Sequence, residues 1–264
     1  MIQTENIGFT IKEKKLLSNA SLCFNPNEIT MIIGPNGAGK STLIKLLSNQ
    51  LKCTTGKVLF NDKDVEEVGK ANLAKVRGVL SQNVELSFPL TVKEVVMMGR
   101  YPHFHNKPAK KDLQICEESI EFFNVKDLLE RNYQTLSGGE KQRVHFARVA
   151  AQIWPDQNKE IKFLLLDEPL TYLDVYYQYE FMRLIKKLMK MQKMVVVGVV
   201  HDLNLAYQFA NNLVLINKGE VISKGNRSEV FTKENMVKTF NIETSIIKDK
   251  NGNEYLVYQS SKME

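Results

Sequence analysis

Apolar positions along the chain fall into two rhythms. Short unbroken runs, Ile29-Thr30-Met31-Ile32-Ile33, Phe163-Leu164-Leu165-Leu166 and Val195-Val196-Val197-Gly198-Val199-Val200, read as strands buried on both faces. The first ends in Gly34-Pro35-Asn36-Gly37-Ala38-Gly39, the second in Asp167-Glu168 and the third in His201-Asp202, and helical spacing follows each. After Gly39, residues Leu43, Leu46, Leu47 and Leu51 share one face, which predicts a helix from Lys40 to Leu51. Strands alternating with helices, with polar groups at the strand C-termini, predict an α/β fold whose parallel sheet carries a ligand at that edge.

From about Thr91 to Trp154 the rhythm is mostly helical: Val92, Val95, Val96 and Met98, then Leu113 to Phe123, then Ser137 to Gln152. This predicts a mainly helical subdomain inserted into the α/β core. Tyr101 to Lys111, with two Pro, two His and three Lys, reads as an exposed loop, and Trp154 to Lys159 as a second one leading back to the core. Beyond Gly225 the pattern weakens, and Lys248 to Asn253 reads as a hairpin turn in a small C-terminal appendage.

Composition excludes more than it selects. With 264 residues, 43% hydrophobic and 25% charged, the chain buries an ample core, and global disorder is out. Its 36 Lys and Arg against 30 acids leave +6, compatible with anionic ligands, nucleic acid or an acidic membrane surface alike. The longest strongly apolar stretch, Met194 to Val200, is far too short for a membrane span. The first residues lack the basic and apolar regions of a signal peptide. Cys23, Cys53 and Cys116 lack CxxC spacing, which argues against a disulfide framework and a zinc site. A reduced, cytosolic protein is expected.

The candidate chemistry is concentrated in three places. Gly34 to Ser41 satisfies the phosphate-loop pattern G-x-x-x-x-G-K-[ST], between a strand and a helix. Glycines there let successive N–H groups converge on an anion, the helix adds its positive end, Lys40 reaches the β/γ-phosphates, and Ser41 is placed to coordinate Mg²⁺. A nucleotide site is expected. Asp167 ends an apolar strand, where such a protein needs a carboxylate for the Mg²⁺ shell. Glu168 follows directly, on the other side of an extended chain, and is a candidate general base. In Leu136-Ser137-Gly138-Gly139-Glu140, a capping box accounts for Ser137 and Glu140 but not for two adjacent glycines, which cost helix stability.

With these residues in view, residues 2 to about 240 resemble an ABC-type ATPase, the nucleotide-binding subunit of a transporter. The matching elements are GPNGAGKST at 34–42, Gln82, LSGGE at 136–140, FLLLDE at 163–168, Leu173-Asp174 and His201. The resemblance implies a P-loop core of about 1–86 and 157–240 with an N-terminal antiparallel β part, a helical subdomain of about 87–156, and an appendage at 241–264. It implies two copies that sandwich two ATP molecules with Mg²⁺, each bound by Gly34 to Thr42 of one copy and by Ser137, Gly138 and Gly139 of the other. Asp167, Ser41 and Gln82 would serve the metal, Gln82 would also sense the attacking water, Glu168 would polarise it, Lys40 and His201 would meet the γ-phosphate, and Asp174 would lie at the subunit interface. Leu170 and Tyr172 are bulkier than the family's usual residues. For the aromatic that stacks on adenine, Ile11 has the usual spacing before Leu17 and Phe9 is the nearest aromatic; Phe9 is the candidate.

Phe88 to His103 further resembles importers of iron chelates, haem and cobalamin, and Ala147 to Trp154 with His201 to Ala206 resembles the haem (hemin) branch. That implies membrane permease subunits as partners, a cargo-binding protein acting indirectly, and a place on the cytoplasmic face of the inner membrane. His103 and His105 sit in a charged loop, read as solvated or as a contact with the membrane subunit rather than as haem ligands. A soluble ABC ATPase acting on chromosomes or ribosomes is the alternative of another class. It is disfavoured because no sustained heptads separate the phosphate loop from LSGGE and only one ATPase unit is present; no nucleic-acid partner is expected. A non-hydrolysing regulatory partner is disfavoured because Lys40, Asp167, Glu168 and His201 are all present.

Overall fold

The computed structural model describes residues 1–81, 86, 88–156, 160–171 and 173–260. They fall into two compact units, Met1–Val65 with Val195–Glu264, and Glu66–Met194. In chain order the first opens with β1 (Ile2–Ile11), β2 (Lys14–Ala20), β3 (Cys23–Phe24), β4 (Ile29–Ile33), α1 (Lys40–Leu47), β5 (Thr55–Phe60) and β6 (Lys63–Asp64). The middle of the chain follows as α2 (Val65–Val68), α3 (Lys70–Val76), β7 (Arg77–Leu80), α4 (Val92–Met97), α5 (Lys110–Phe122), α6 (Gly138–Gln152), β8 (Lys162–Asp167) and α7 (Val175–Met191). The chain ends with β9 (Met194–Val199), α8 (Leu203–Phe209), β10 (Asn212–Asn217), β11 (Glu220–Gly225), α9 (Arg227–Val230), α10 (Lys233–Phe240), β12 (Ile242–Lys248) and β13 (Glu254–Ser260).

In the first unit β4 is buried at every residue and lies between two parallel neighbours, with Ile32 beside Val199 of β9 and Val214 of β10. A continuous apolar run needs a layer on both faces, and a central parallel strand has one. Because β4 and β9 are parallel, their C-terminal ends reach the same sheet edge. A separate antiparallel sheet runs β2-β1-β5-β6, with β3 also paired to β1. α1 is shorter than its leucine spacing predicts. It stops at Leu47, where Ser48 caps it and Asn49 turns left-handed (φ 52°), a conformation Asn tolerates, so Leu51 lies beyond the helix. The hairpin of β12 and β13 turns at the expected place. The Asp249 carboxylate accepts the amides of Asn251 and Asn253 at 2.8 and 2.9 Å, and Gly252 supplies φ 80°. Tyr207 and Asn204 of α8 hold β13 through Glu254 and the Leu256 amide, both at 2.8 Å.

In the second unit β7 and β8 pair in parallel from Arg77–Phe163 to Leu80–Leu166. The helices pack through one buried charge cluster. Arg100 donates to Asp112 at 3.0 and 2.9 Å and to the Ala151 carbonyl at 2.7 Å, while Asp112 also accepts the Ala109 amide at 2.9 Å. Each buried charge therefore has its partner, which its burial demands. The segment from Tyr101 to Lys111 is not one exposed loop. A 3₁₀ helix spans Met98–His103, α5 already begins at Lys110, and a ring nitrogen of His103 lies 2.8 Å from the Gln152 carbonyl. Burial lowers the pKa of His103, and only His105 of the pair is exposed. The cause is Gly99, which lets the 3₁₀ turn lie directly on α6: a Cβ there would fall 2.1 Å from the Arg148 carbonyl oxygen. Gly99→Ala is expected to lower stability by about 1–3 kcal/mol, read as a lower urea midpoint at an unchanged slope.

Cys23, Cys53 and Cys116 are all thiols. Cys116 is buried in α5, and burial pushes its pKa up to about 11. Cys23 is exposed. Iodoacetamide at neutral pH should therefore label Cys23 in the folded protein and Cys116 only after denaturation, as read by peptide mass mapping.

Candidate functional site

The loop after β4 is shaped by approaches that only glycine permits. Gly34, Gly37 and Gly39 have φ of 154°, 75° and 105°. A Cβ on Gly34 would meet the Ile216 carbonyl oxygen at 2.1 Å, and one on Gly39 the Leu16 carbonyl oxygen at 2.5 Å. The Gly219 amide donates to Ala38 at 2.9 Å, and Ala38 to Pro35 at 3.2 Å. Lys40, buried to 4% exposure, arches over this turn and donates to the carbonyls of Gly34 and Pro35 at 2.9 Å each. Gly39 caps α1 without a side-chain bond. The amides of Lys40, Ser41 and Thr42 thus stand at the positive end of the helix with no acceptor inside it. This donor set, ringed by left-handed glycines and carrying an ammonium, fits a polyphosphate. The Ser41 hydroxyl and the Asp167 carboxylate are hard oxygen donors of the kind Mg²⁺ takes.

His201 lies at the same sheet edge as this loop. Val200 continues β9 and donates its amide to Ile32 at 3.4 Å, and exposed His201 follows, with Asp202 capping α8 through the Leu205 amide at 3.0 Å. The β1–β2 hairpin approaches the loop through Leu16. On it Phe9 is half-buried opposite Leu17, whereas Ile11 is 50% exposed at the hairpin end.

In the second unit Asp167 closes β8, buried, and Glu168 takes a left-handed backbone, φ 51°. Strand alternation therefore stops at Asp167 and is not what separates the two carboxylates; the reversed backbone of Glu168 is. Ser137 caps α6 in a capping box: its Oγ accepts the Glu140 amide at 3.3 Å, and Glu140 accepts the Ser137 amide at 2.8 Å. These bonds from Ser137 hold the Glu140 carboxyl below the usual range, and Arg131 adds a bond at 2.8 Å. Gly138 and Gly139 have helical backbone, so no left-handed turn requires them. Asp174 caps α7 through the Tyr177 amide at 3.1 Å. Leu170 and Leu173 turn their bulk inward, each 7% exposed. Gln82 and Tyr172 lie outside the described residues.

Sequence reasoning passed over two glutamines. Gln142 of α6 donates its side-chain amide to the Pro169 carbonyl, and Gln178 of α7 donates to Leu170 and Leu173 at 3.3 and 3.0 Å. Neither carries a charge or breaks the helical spacing, so nothing in the sequence separates them from solvated helix positions.

A sequence profile of ABC transporters matches residues 17–171. The chain is 39% identical over 248 residues to the hemin import ATP-binding protein HmuV of Pseudoalteromonas translucida (strain TAC 125), covering 93% of this chain and 94% of that one. Among solved structures it resembles an inward-facing conformation described as a metal-chelate type ABC transporter, at 27% identity and TM-score 0.81 over 98% of this chain and 96% of that one. It also resembles the dimeric structure of a bacterial ABC transporter cassette, at 26% identity and TM-score 0.73 over 86% of this chain and 98% of that one. A glycine-shaped phosphate loop, a strand closing at Asp167 with Glu168 just beyond it and a Ser-Gly-Gly helix start accompany this likeness: the chain belongs to the ABC transporter family, as an ATP-binding, ATP-hydrolysing cassette.

Proposed function

We propose that this chain is the energy-coupling subunit of an importer whose cargo is haem (hemin). The observation that carries the cargo is the near full-length similarity to a protein named for hemin import. Import of a ferric siderophore or cobalamin is the second reading, favoured by the likeness to a metal-chelate type transporter. Among the described residues no helix is long and apolar enough to cross a membrane, so the span would come from permease subunits, which a cargo-binding protein engages from the other side. The cassette would sit on the cytoplasmic face of the inner membrane. Residues 1–240 would form the ATPase domain, with about 87–156 as its helical subdomain, and 241–264 the appendage.

The working unit is a homodimer, as in the dimeric cassette it resembles. Gly34 to Thr42 hold the phosphates of ATP, and Phe9 stacks on its adenine. Ser137, Gly138 and Gly139 approach the same nucleotide from the partner copy. What supports this is that the two glycines at this helix start have helical backbone, so no left-handed turn accounts for them, and they give a phosphate room to approach that helix end. Ser41, Asp167 and Gln82 would hold Mg²⁺, which would supply positive charge against that of the nucleotide's phosphates. Glu168 accepts the proton of the attacking water, Lys40 and His201 donate to the γ-phosphate oxygens, and Asp174 meets the partner copy. ATP drives closure only because the closed dimer binds it more tightly than the open one.

The test is to co-purify the chain with its membrane subunits and measure ATP turnover with binding protein loaded with haem, ferric siderophore or cobalamin. Stimulation by the haem-loaded form alone is expected; stimulation by another cargo alone overturns the haem reading.

A further inference from the structure

The backbone of Glu168 needs an explanation. A left-handed glutamate costs free energy. Such a conformation persists only where its surroundings over-determine it. Here the loop that follows is held at several points. Pro169 gives its carbonyl to Gln142, Leu170 and Leu173 give theirs to Gln178, the Leu173 amide returns to Leu170 at 3.1 Å, and Thr171 Oγ1 donates to the Glu168 carbonyl at 3.1 Å.

The two glutamines grip from different helices. Gln178 belongs to α7, which starts from this loop, so its bonds are local. Gln142 belongs to α6, is buried to 7% exposure, and stands about one turn beyond Ser137, Gly138 and Gly139. The first two turns of α6 therefore carry the Ser-Gly-Gly start at one end and a buried amide on the Glu168 loop at the other. A short helical segment is stiff, so a displacement of its start is felt at Pro169.

We infer that Gln142 is a positioning residue that transmits the state of the Ser137–Gly139 turn to Glu168. The inference rests on the proposed roles of Glu168 as base and of Ser137–Gly139 as the contact to the partner's nucleotide. On that reading one chain's α6 touches one ATP while its Glu168 serves the other. Gln142 then links the two sites of the dimer, and engagement of one nucleotide sets the base acting on the second.

The experiment compares steady-state ATP turnover of the full chain carrying Gln142→Met, Gln178→Met, Ser137→Ala and the two double variants Ser137→Ala/Gln142→Met and Ser137→Ala/Gln178→Met. Thermal melting confirms that each folds. Methionine keeps the volume and removes the donor. Gln142→Met is expected to lower kcat about tenfold with KM for ATP within about twofold, because it moves the base and leaves the phosphate loop alone. Ser137→Ala/Gln142→Met is expected to be no worse than its poorer parent, since the second change severs a link already lost. Ser137→Ala/Gln178→Met should show the product of its two single losses, because α7 does not carry the turn. A purely structural role for Gln142 would make the two double variants behave alike.

Unchanged kcat in Gln142→Met, or losses that multiply in Ser137→Ala/Gln142→Met, overturns the inference. Should Gln142→Met fail to fold, Gln142→Glu gives the same reading: its carboxylate faces the Pro169 carbonyl, and its turnover relative to the parent chain should rise as acid restores a donor. A ratio flat with pH overturns the inference. Glu168→Gln separates this failure from that of the underlying reading. Normal turnover in Glu168→Gln removes the base itself, whereas its loss beside an unaffected Gln142→Met removes only the link.

Discussion

Glu168→Gln should abolish steady ATP turnover while leaving ATP bound, a fall of about 10²–10⁴-fold in kcat, or roughly 3–5 kcal/mol of transition-state stabilisation. The amide matches the carboxylate in shape and still accepts hydrogen bonds, but it is too weak a base to take the proton of the attacking water. Lys40, the three glycines and the α1 amides are untouched, so nucleotide affinity should stay within about twofold, since the change removes an interaction made only in the transition state. With hydrolysis blocked, the nucleotide that closed the dimer has no route to reopen it. Light scattering with ATP and Mg²⁺ should then report a dimer that outlasts that of the parent chain. A Glu168→Gln protein that releases phosphate at the normal rate would remove Glu168 from the role of base.

Ser137→Arg is the second large effect, and it acts on a different step. Ser137 stands exposed at the start of α6, where its Oγ accepts the Glu140 amide and so commits a lone pair and not its proton. An arginine puts bulk and charge where the partner's nucleotide has to approach, and removes a cap worth about 0.5–2 kcal/mol. Turnover should fall at least about 100-fold, as closure is the step that assembles the site. Nucleotide affinity of the isolated monomer, read by a fluorescent ATP analogue, should be nearly unchanged, because Ser137 lies on none of the elements that shape the phosphate loop. Loss of affinity in the monomer would contradict a site completed by a second copy.

Much of the core was legible because burial leaves a periodic trace. The runs at 29–33, 163–166 and 195–200 became β4, β8 and β9, and the glycine pattern at 34–39 implied the left-handed backbone that Gly34, Gly37 and Gly39 adopt. The errors arose where local polar chemistry overrode periodicity. Leucine spacing carried α1 to Leu51, but Ser48 and Asn49 ended it at Leu47. A cluster of Pro, His and Lys suggested a solvated loop, yet Gly99 seats the 3₁₀ turn on α6 and ties His103 to Gln152. Glu168 read as the next residue of a strand, while its backbone reverses ahead of a loop that Gln142 and Gln178 hold, contacts that no sequence spacing reports.

The central claim, a nucleotide site completed by a second copy, is tested most directly by mixing two inactive proteins. Lys40→Ala disables the phosphate loop and keeps Ser137; Ser137→Arg disables the helix start and keeps the loop. In an equimolar mixture about half the dimers are mixed, and each pairs one intact loop with one intact Ser-Gly-Gly start, while the substituted arginine faces only the disabled loop. Turnover should reappear in the mixture where neither variant alone shows any, at most about a quarter of that of the parent chain. It should sit about tenfold below that ceiling where Gln142 links each Glu168 to its own chain's Ser137 turn, which is disabled in the chain that keeps the loop. A mixture as inactive as its components would contradict the account.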